Sequence, residues 1–401
     1  MEIDIGRGKK GRRAYGFDDI AIVPSRRTRD PDDIDISWTL GPYRFELPLV
    51  ASAMDGVVSP DTAVLVNELG GLGVLNLEGI WSRFENAEAQ LAQIAAAPVH
   101  EATRLMQEVY AEPVKPELIG QRIAEIKQRG AVACGSLTPQ KVRDYYEIAV
   151  EAGIDILVIQ GTVISAEHVS TTVEPLNLKE FIAEVPVPTV VGGCASYSTG
   201  LHLMRTGAVG VLVGVGPGAA CTTRGVLGIG VPQATAIADV AAARAQHMLE
   251  TGEYVNVIAD GGMRTGGDVS KAIAVGADAV MVGSPLARAK EAPGRGFHWG
   301  MATFHPSLPR GTRVSTKQDG TMEEILLGPA QENDGTFNLM GALKTSMATT
   351  GYEDIRSFQR AEVMVAPALQ SEGKKLQNER SVGMGSNGRA AVSAGVGVAD
   401  D

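Results

Sequence analysis

The sequence predicts an α/β fold, a (β/α)8 TIM barrel that forms a single catalytic domain, and two observations support this prediction. Eight short runs of Val, Ile, Leu and Ala occur without polar alternation, as expected of strands that are buried on both faces. Segments with helical periodicity separate these runs. Alternation repeated eight times favours a closed barrel, and an open parallel sheet is the alternative.

The predicted strands follow one another with room for a helix between them. Within residues 116–128, Ile119, Ile123 and Ile126 recur at helical spacing, and residues 198–205 form a second segment of this kind. The predicted strands are residues 49–53, 73–76, 131–135, 155–160, 188–193, 209–214, 256–260 and 279–283.

The chain before and after the predicted barrel differs in composition. Residues 1–46 are polar and turn-rich, so we expect a solvated N-terminal arm. Residues 47–367 are predicted to form the barrel, including a lid at about residues 291–335 that begins with a Gly-, Pro- and aromatic-rich stretch. A last helix and a short apolar run are expected within residues 356–365. Residues 368–401 are rich in Ser, Gly, Ala and Lys, which predicts a disordered tail.

Composition and charge exclude several classes of function. The chain has 401 residues, is 44% hydrophobic and carries a net charge of -11, which argues against general binding to nucleic acid or to an anionic membrane. No apolar run approaches the roughly 18 residues that span a bilayer. The basic N-terminus lacks the apolar core of a signal peptide. Three scattered cysteines indicate a reduced, cytoplasmic protein without a disulfide framework or a zinc site.

A Gly-rich loop at residues 214–232 (GVGPGAACTTRGVLGIGVP) follows the sixth predicted strand and contains Cys221. A cysteine is more often a small buried apolar residue than a nucleophile. The flanking glycines and threonines do not form an apolar pocket, however, so we interpret Cys221 as a nucleophile presented at the mouth of the barrel. Cys134 and Cys194 lie in or beside apolar runs, and we expect structural roles for both.

Two further groups of residues indicate ligand binding. Loops after the last two strands of such barrels often hold a phosphate, and residues 259–262 and 282–284 occupy these places. Asp260 ends a strand and is suited to accept hydrogen bonds from a ribose diol; the alternative is a pair of tight turns capped by Asp260. In the lid, Arg310 and Arg313 are suited to contact an anion or to activate water, unless both are simply solvated, and the roles of His298 and His305 are equally ambiguous.

Several motifs occur in the order in which one known family carries them. They are FDDIAIVPS (17–25), LVASAMDGVVS (49–59), GGLGVLN (70–76), GPGAACTTR with GIGVPQATAIAD (216–239), IADGGMRTGGDVSKAIAVGADAVMVGS (258–284), EAPG (291–294) and NLMGALKTSMATTGY (338–352). Over roughly residues 15–365 the chain resembles the IMP dehydrogenases and the sister GMP reductases. The GIGVPQ and EAPG motifs favour the dehydrogenase branch.

This resemblance implies an NAD-dependent oxidoreductase of purine and GMP biosynthesis. Cys221 would add to C2 of IMP, hydride would pass to NAD, and water would release XMP from the resulting thioimidate with help from Thr223 and Arg310. A GMP reductase, which converts GMP to IMP with NADPH, is the alternative enzyme. A weakly active regulator that binds a purine nucleotide is the alternative from another class. The resemblance also implies a homotetramer.

The resemblance assigns roles to further residues by their match to the family's motifs. Gly216, Gly218 and Cys221 match positions whose backbone carbonyls bind K⁺. Gln160 stands where the family has an aspartate that contacts the nicotinamide ribose, and Ala219 where it has a phosphate-binding serine. The positions that match nucleotide-binding residues are Ser52, Met54, Gly214, Ala219, Asp260, Gly262, Gly283, Ser284, Gly300 and Met301.

The chain also departs from the family at several places. The two CBS modules that usually follow the second strand are missing. Cys194 replaces an asparagine near the ribose, and Leu212 replaces an arginine that precedes the catalytic loop. The predicted lid lacks the family's Arg-Tyr pair, and Arg310 is the proposed substitute.

Overall fold

Eight parallel strands close into a barrel in the computed structural model, which describes residues 2–164, 175–300 and 313–366 and the isolated positions 374, 377, 380, 382, 383 and 385. Each strand pairs with the next along the chain, and the pairing of Val280 with Leu49 joins the last strand to the first. The barrel strands are β1 (Leu49–Ala51), β2 (Leu72–Asn76), β3 (Cys134–Leu137), β4 (Ile156–Gln160), β5 (Thr189–Cys194), β6 (Gly210–Val213), β7 (Asn256–Asp260) and β8 (Ala279–Val282).

All eight predicted strands are confirmed, and the closed barrel rather than an open sheet is the observed form. The prediction is least accurate at β3, which begins three residues later than expected and continues through Ser136 to Leu137. Ser136 is buried in spite of its polarity because its hydroxyl donates a hydrogen bond of 3.4 Å to Gln160 Oε1 on the neighbouring strand. A polar residue that finds a partner in the next strand does not end a strand.

The helices between the strands begin at recognisable capping residues. The side chains of Ser59, Ser196 and Thr265 each accept a backbone N–H from the first turn of the helix that follows. Helix α4 has the predicted bounds, and α7 begins one residue earlier than predicted. The α-helices are α1 (Pro60–Glu68), α2 (Ala87–Ala96), α3 (Val99–Ala111), α4 (Pro116–Gln128), α5 (Val142–Glu151), α6 (Leu178–Glu184), α7 (Tyr197–Met204), α8 (Thr223–Leu227), α9 (Gln233–Thr251), α10 (Gly266–Ala274), α11 (Met322–Leu326), α12 (Leu339–Thr349) and α13 (Ile355–Phe358).

Short 3-10 turns and two-stranded ladders complete the secondary structure. The turns are Phe17–Asp19, Pro31–Asp33, Ile80–Ser82 and Leu286–Arg288. The antiparallel ladders pair Glu2–Gly6 with Lys9–Arg12, Trp38–Leu40 with Tyr43–Phe45, Phe297–His298 with Val314–Ser315, and Val363–Val365 with Ile20–Ile22. In the described part of the chain, no helix is long and apolar enough to cross a membrane.

The segment predicted as a solvated arm, residues 1–46, is not exposed over its whole length. The hairpin of residues 2–12 and the stretch of residues 24–33 are largely exposed, whereas Trp38, Leu40 and Phe45 are buried. Trp38, Leu40 and Phe45 pack against side chains from the barrel interior, and a Cβ on Gly210, the first residue of β6, would lie 3.3 Å from Leu40 Cδ1. The hairpin of Trp38 and Phe45 therefore closes the barrel at the N-terminal ends of the strands. Its apolar residues are too few and too widely spaced for the composition to reveal this.

The predicted lid is only partly within the described residues. Within the predicted lid, strand Phe297–His298 pairs with strand Val314–Ser315, and α11 follows. The predicted last helix and apolar run are confirmed as α13 and strand Val363–Val365. Residues 301–312, with Met301, His305 and Arg310, lie outside the described residues, as does most of the predicted tail at 368–401.

Candidate active site

The carboxyl ends of the barrel strands bring the predicted site residues to one rim. Gln160 is the last residue of β4, and Asp260 is the last residue of β7. Ser52 directly follows β1, and Gly283 directly follows β8. Because parallel strands of a barrel all end at the same face, residues far apart in the sequence meet there.

Cys221 lies in the loop that follows β6, and its side chain is half-buried, whereas Cys134 and Cys194 are buried. The Cys221 thiol donates a hydrogen bond of 3.1 Å to Thr223 Oγ1. Thr223 is fully buried at the beginning of α8, so its hydroxyl is fixed beside the sulfur. The Cys221 N–H donates to the Gly218 carbonyl at 3.1 Å, which turns the loop back toward the rim. The Cys221 sulfur is thus accessible and is held by its immediate neighbours in the chain.

The loop that carries Cys221 (residues 214–232, called the catalytic loop below) approaches the end of β7 closely at Gly214. A Cβ on Gly214 would clash with the Asp260 carbonyl oxygen, so only glycine permits this approach. Gln233 Nε2 donates hydrogen bonds to the carbonyls of Val213 at 2.6 Å and Asp260 at 3.2 Å, and thereby joins the ends of β6 and β7. Sequence reasoning missed this role of Gln233, although the residue stands in a quoted motif directly after Pro232.

The loop after β7 also lies against the catalytic loop. Gly261 and Gly262 have φ values of +80° and +84°, and a Cβ on Gly262 would lie 3.1 Å from Pro217 Cβ. Other residue types adopt this left-handed conformation at a cost, so the two glycines allow the backbone of this loop to contact the neighbouring loop. The loop after β7 therefore packs against the loop that carries Cys221.

Asp260 is half-buried at the mouth of the barrel, and its carboxyl group has an unusual pKa. Burial raises its pKa to about 7, and a hydrogen bond from Gln160 partly opposes this shift. Gln160 Nε2 donates to Asp260 Oδ2 at 3.3 Å, and Gln160 Oε1 accepts from Ser136. The amide of Gln160, predicted as a cofactor contact, is therefore also a neighbour of the predicted ribose-binding carboxyl group.

The β1 and β8 ends form a second part of the site. A Cβ on Gly283 would lie 2.5 Å from Met54 Sδ and 3.6 Å from Ser52 Oγ, so Ser52, Met54 and Gly283 are neighbours. Ser284 Oγ and His298 Nε2 are joined by a hydrogen bond of 2.8 Å. Burial lowers the pKa of His298 to about 4, so its imidazole is neutral at neutral pH. Sequence reasoning left the role of His298 undecided.

Gly300, within the predicted lid, lies beside the loop that carries Cys221. A Cβ on Gly300 would lie 3.9 Å from the Ala220 carbonyl oxygen, which places the start of the lid beside the cysteine loop. Arg313 has a different role from either predicted one, since it neither faces an anion site nor is solvated. Its guanidinium donates to backbone carbonyls at the end of α2, and burial lowers its pKa. The hydrogen-bond acceptors of Arg313 thus lie at a helix C-terminus more than 200 residues away in sequence.

The cation site implied by the sequence consists only of backbone carbonyls. Gly216 has a φ of +77°, and the Gly218 carbonyl accepts one hydrogen bond, from Cys221, which leaves it a second lone pair. Among the residues that the structure describes, no group of three or more His, Cys, Asp or Glu side chains is placed to hold a metal ion. Neutral oxygen ligands of this kind suit a hard cation.

Comparison with known proteins gives consistent matches over most of the chain. A family model described as "IMP dehydrogenase / GMP reductase domain" matches residues 14–375. An uncharacterized oxidoreductase of Mycolicibacterium smegmatis is 47% identical over 372 residues, which cover 90% of this chain and 99% of the relative. An inosine-5'-monophosphate dehydrogenase of Borreliella burgdorferi is 31% identical over 332 residues, which cover 77% of this chain and 78% of the relative.

One solved structure is similar in both sequence and fold. The crystal structure of an IMP dehydrogenase/GMP reductase-like protein from Corynebacterium glutamicum has a TM-score of 0.87 and 45% sequence identity. The match covers 91% of this chain and 97% of that protein. The similarity therefore includes the hairpin that closes the barrel and the segment after β8, as well as the barrel itself.

Proposed function

The chain belongs to the IMP dehydrogenase / GMP reductase family, and on that premise we propose that it oxidises IMP to XMP with NAD through a covalent bond between Cys221 and purine C2. The observation that carries the proposal is the pair formed by the half-buried Cys221 thiol and the buried Thr223 hydroxyl at 3.1 Å. A protein that only binds a nucleotide has no need for an accessible thiol fixed in this way.

In the proposed reaction, the Cys221 sulfur forms a bond to C2 of the purine, and C2 loses its hydrogen with two electrons. The nicotinamide cofactor supplies the hydride acceptor. Water then adds to C2 of the thioimidate, the C–S bond breaks, and the sulfur leaves with its electron pair. Thr223 Oγ1 accepts the thiol hydrogen in the free enzyme and is placed to donate to the sulfur once that proton has gone. The hydroxyl therefore stabilises the thiolate, both as it attacks and as it leaves.

Nucleotide binding is assigned to the paired strand ends. The Asp260 carboxylate would accept hydrogen bonds from the ribose diol, while the loops of Gly262 and Gly283 would present backbone N–H groups to the phosphate. Ser284 supplies a hydroxyl next to that loop, and a neutral His298 holds it. The remaining residues assigned to the nucleotide are Ser52, Met54, Gly214, Ala219, Gly300 and Met301.

The residues present are compatible with a nicotinamide cofactor and with K⁺. Gln160 is neutral, so it can lie beside the Asp260 carboxyl group at 3.3 Å and still accept a ribose hydroxyl at Oε1. A carboxylate at the same place would repel Asp260. The carbonyls of Gly216, Gly218 and Cys221 are the proposed K⁺ ligands, and the cation would stiffen the loop that presents the thiol. NAD and K⁺ are therefore the proposed cofactors.

One observation favours a second candidate, the reduction of GMP to IMP with NADPH. Water activation is required only in the oxidative reaction, and Arg313 is unavailable for it because α2 carbonyls occupy its guanidinium. A reductase would use the same Cys221 thiolate and would release ammonia from C2. The assay must therefore distinguish the direction of hydride transfer.

The decisive experiment measures nicotinamide absorbance with each purine monophosphate. IMP, XMP and GMP carry hydrogen, oxygen and nitrogen at C2, and each is combined with oxidised or reduced NAD and NADP, with and without K⁺. We expect NADH to form with IMP and NAD, with faster turnover in K⁺. Cys221→Ala should lower this rate at least about 10³-fold while IMP still raises the melting temperature.

Other outcomes would overturn specific parts of the proposal. Consumption of a reduced cofactor with GMP or XMP, without a reaction of IMP, would assign the reductive direction. Turnover that survives in Cys221→Ala would exclude the covalent mechanism. Nucleotide-induced stabilisation without turnover under any condition would leave a binding protein.

A further inference from the structure

We propose that helices α2 and α3 clamp the base of the lid at two places, and that Tyr110 and Arg313 are positioning residues through which the clamp holds the nucleotide site. The lid base is defined here as residues 297–300 and 313–315, which flank residues 301–312. A (β/α) unit needs one helix, yet α2 and α3 both precede α4, which packs between α1 and α5. These two additional helices contact the lid base at two separate places.

The first contact joins α3 to the N-terminal side of the lid base. Trp299 Nε1 donates a hydrogen bond of 2.9 Å to Tyr110 Oη, and Trp299 is only 2% exposed. The Tyr110 hydroxyl in turn donates to Asp55 Oδ2. Gly300, which directly follows Trp299, lies beside the carbonyl of Ala220 in the catalytic loop. The hydroxyl of Tyr110 therefore bridges the lid base and the β1 loop.

Asp55 connects the same contact to the nucleotide site. It is buried, directly follows Met54, and accepts a further hydrogen bond of 3.4 Å from Asn76 Nδ2 at the end of β2. Burial raises the pKa of Asp55 to about 6, so the carboxyl group is ionised at pH 8 and accepts the hydrogen bond from the Tyr110 hydroxyl. Burial and Asp55 raise the pKa of Tyr110 well above its usual range, which keeps its hydroxyl a donor.

The second contact joins α2 to the C-terminal side of the lid base. Arg313 donates to the carbonyls of Ile94, Ala95 and Ala97, with distances of 3.1 Å to Ala95 and 2.8 Å to Ala97. These groups lie at the end of α2, where helix carbonyls lack partners within the helix and carry partial negative charge. The guanidinium also lies 3.9 Å from the centre of the Phe297 ring. One arginine thus holds the end of a helix and both strands of the lid base.

The two contacts together hold both parts of the lid base, residues 297–300 and residues 313–315. The ladder of Phe297 with Ser315 and His298 with Val314 links them, so loosening one should loosen the other. His298 also contacts Ser284, and Gly300 lies beside Ala220. The clamp therefore sets the distance between the lid base and two loops that we assign to the nucleotide. This last step rests on the proposed function, whereas the clamp itself does not.

Hydrogen–deuterium exchange of the nucleotide-free protein at pH 8 tests the clamp without turnover. Tyr110→Phe removes the hydroxyl and keeps the ring, while Arg313→Lys keeps the charge but cannot reach three carbonyls at once. We expect the amides of residues 297–300 and 313–315 to exchange about tenfold faster in each variant. The control is Tyr146→Phe, whose lost hydroxyl contacts the exposed Glu147, and its exchange at the lid base should equal that of the wild type.

Two exchange results would overturn the clamp. They are unchanged exchange of the lid base in both variants, and an increase spread evenly over the barrel strands, which would reveal global destabilisation. If the clamp holds the nucleotide site as well, Tyr110→Phe should raise the KM for the purine nucleotide about tenfold and change kcat less than about threefold. If kcat and kcat/KM fell equally, the positioning role of Tyr110 would be overturned. The clamp itself would still be supported by the exchange result. The exchange result does not depend on which purine reaction the enzyme performs.

Discussion

Gln160 on β4 donates a hydrogen bond of 3.3 Å to Asp260 on β7, although β5 and β6 separate these strands in the barrel. The contact therefore crosses the mouth of the barrel rather than following the sheet. It places a neutral amide against a half-buried carboxyl group whose pKa is already raised to about 7. The charge state of Asp260 at working pH depends on this neighbour.

Gln160→Glu should weaken nucleotide binding by creating a pair of carboxyl groups. Two carboxylates at hydrogen-bond distance cannot both ionise, so the pKa of Asp260 should rise further and the ribose would meet a protonated acid. We expect the Kd for IMP at pH 7.5 to rise roughly tenfold, measured by calorimetry. The control is Gln160→Met, which removes the hydrogen bond without adding charge. An equal rise in the Kd for IMP in both variants would show that the lost hydrogen bond of the amide, not the added charge, weakens binding.

The raised pKa of Asp260 predicts the pH dependence of stability. The unfolded chain loses this proton near pH 4, whereas the folded protein keeps it until about pH 7. The stabilising contribution is therefore complete below about pH 4, declines as pH rises, and is lost above about pH 7. Asp260→Asn should flatten the fall in the free energy of unfolding between pH 5 and 8, measured with urea. Identical slopes in wild type and variant would show that Asp260 titrates normally.

Selective alkylation should identify Cys221 among the three cysteines of the chain. Burial raises the pKa of Cys194 to about 12 and that of Cys134 still higher, so neither forms a thiolate in the native state. We expect iodoacetamide to modify one residue per native chain, identified by peptide mass spectrometry, and bound IMP to slow this reaction. Modification of all three at equal rates in the native protein would contradict the assigned environments.

Asp278→Ala should reduce stability strongly without altering the site. Asp278 lies directly before β8, at the opposite end of the barrel from Cys221, and accepts hydrogen bonds from Arg244 at 2.6 Å, Tyr254 at 2.5 Å and Val257 N at 2.8 Å. Removal would leave Arg244 buried without its carboxylate. We expect the free energy of unfolding to fall by about 3–5 kcal/mol in urea titrations.

The matched control is Asp144→Ala, which breaks an exposed pair with Lys141. Its effect should be within about 1 kcal/mol, since water screens exposed charges. The dissociation constant for IMP at 25 °C should be unchanged in both variants. Comparable stability losses in the two would mean that burial does not amplify the Asp278 interaction.

The sequence by itself determined the eight parallel strands, because strands that are buried on both faces read as continuous apolar runs. It favoured a closed barrel over an open sheet, and the structure decided between them. It also determined α4 closely, since Pro116 suits a first turn and its isoleucines recur on one face. The loop that carries Cys221 was likewise evident from local composition. In each case the information lies within a few consecutive residues.

Only the tertiary structure decided the remaining features, because their determinants are far apart in sequence. Arg313 finds its hydrogen-bond acceptors in carbonyls more than 200 positions earlier, and Tyr110 connects Trp299 to Asp55. In the sequence, Trp38 stands in a polar segment, and only the folded barrel provides the apolar interior against which its side chain packs. A partner supplied by a distant segment leaves no periodicity or motif around the residue that needs it, so such contacts appear only once the chain has folded.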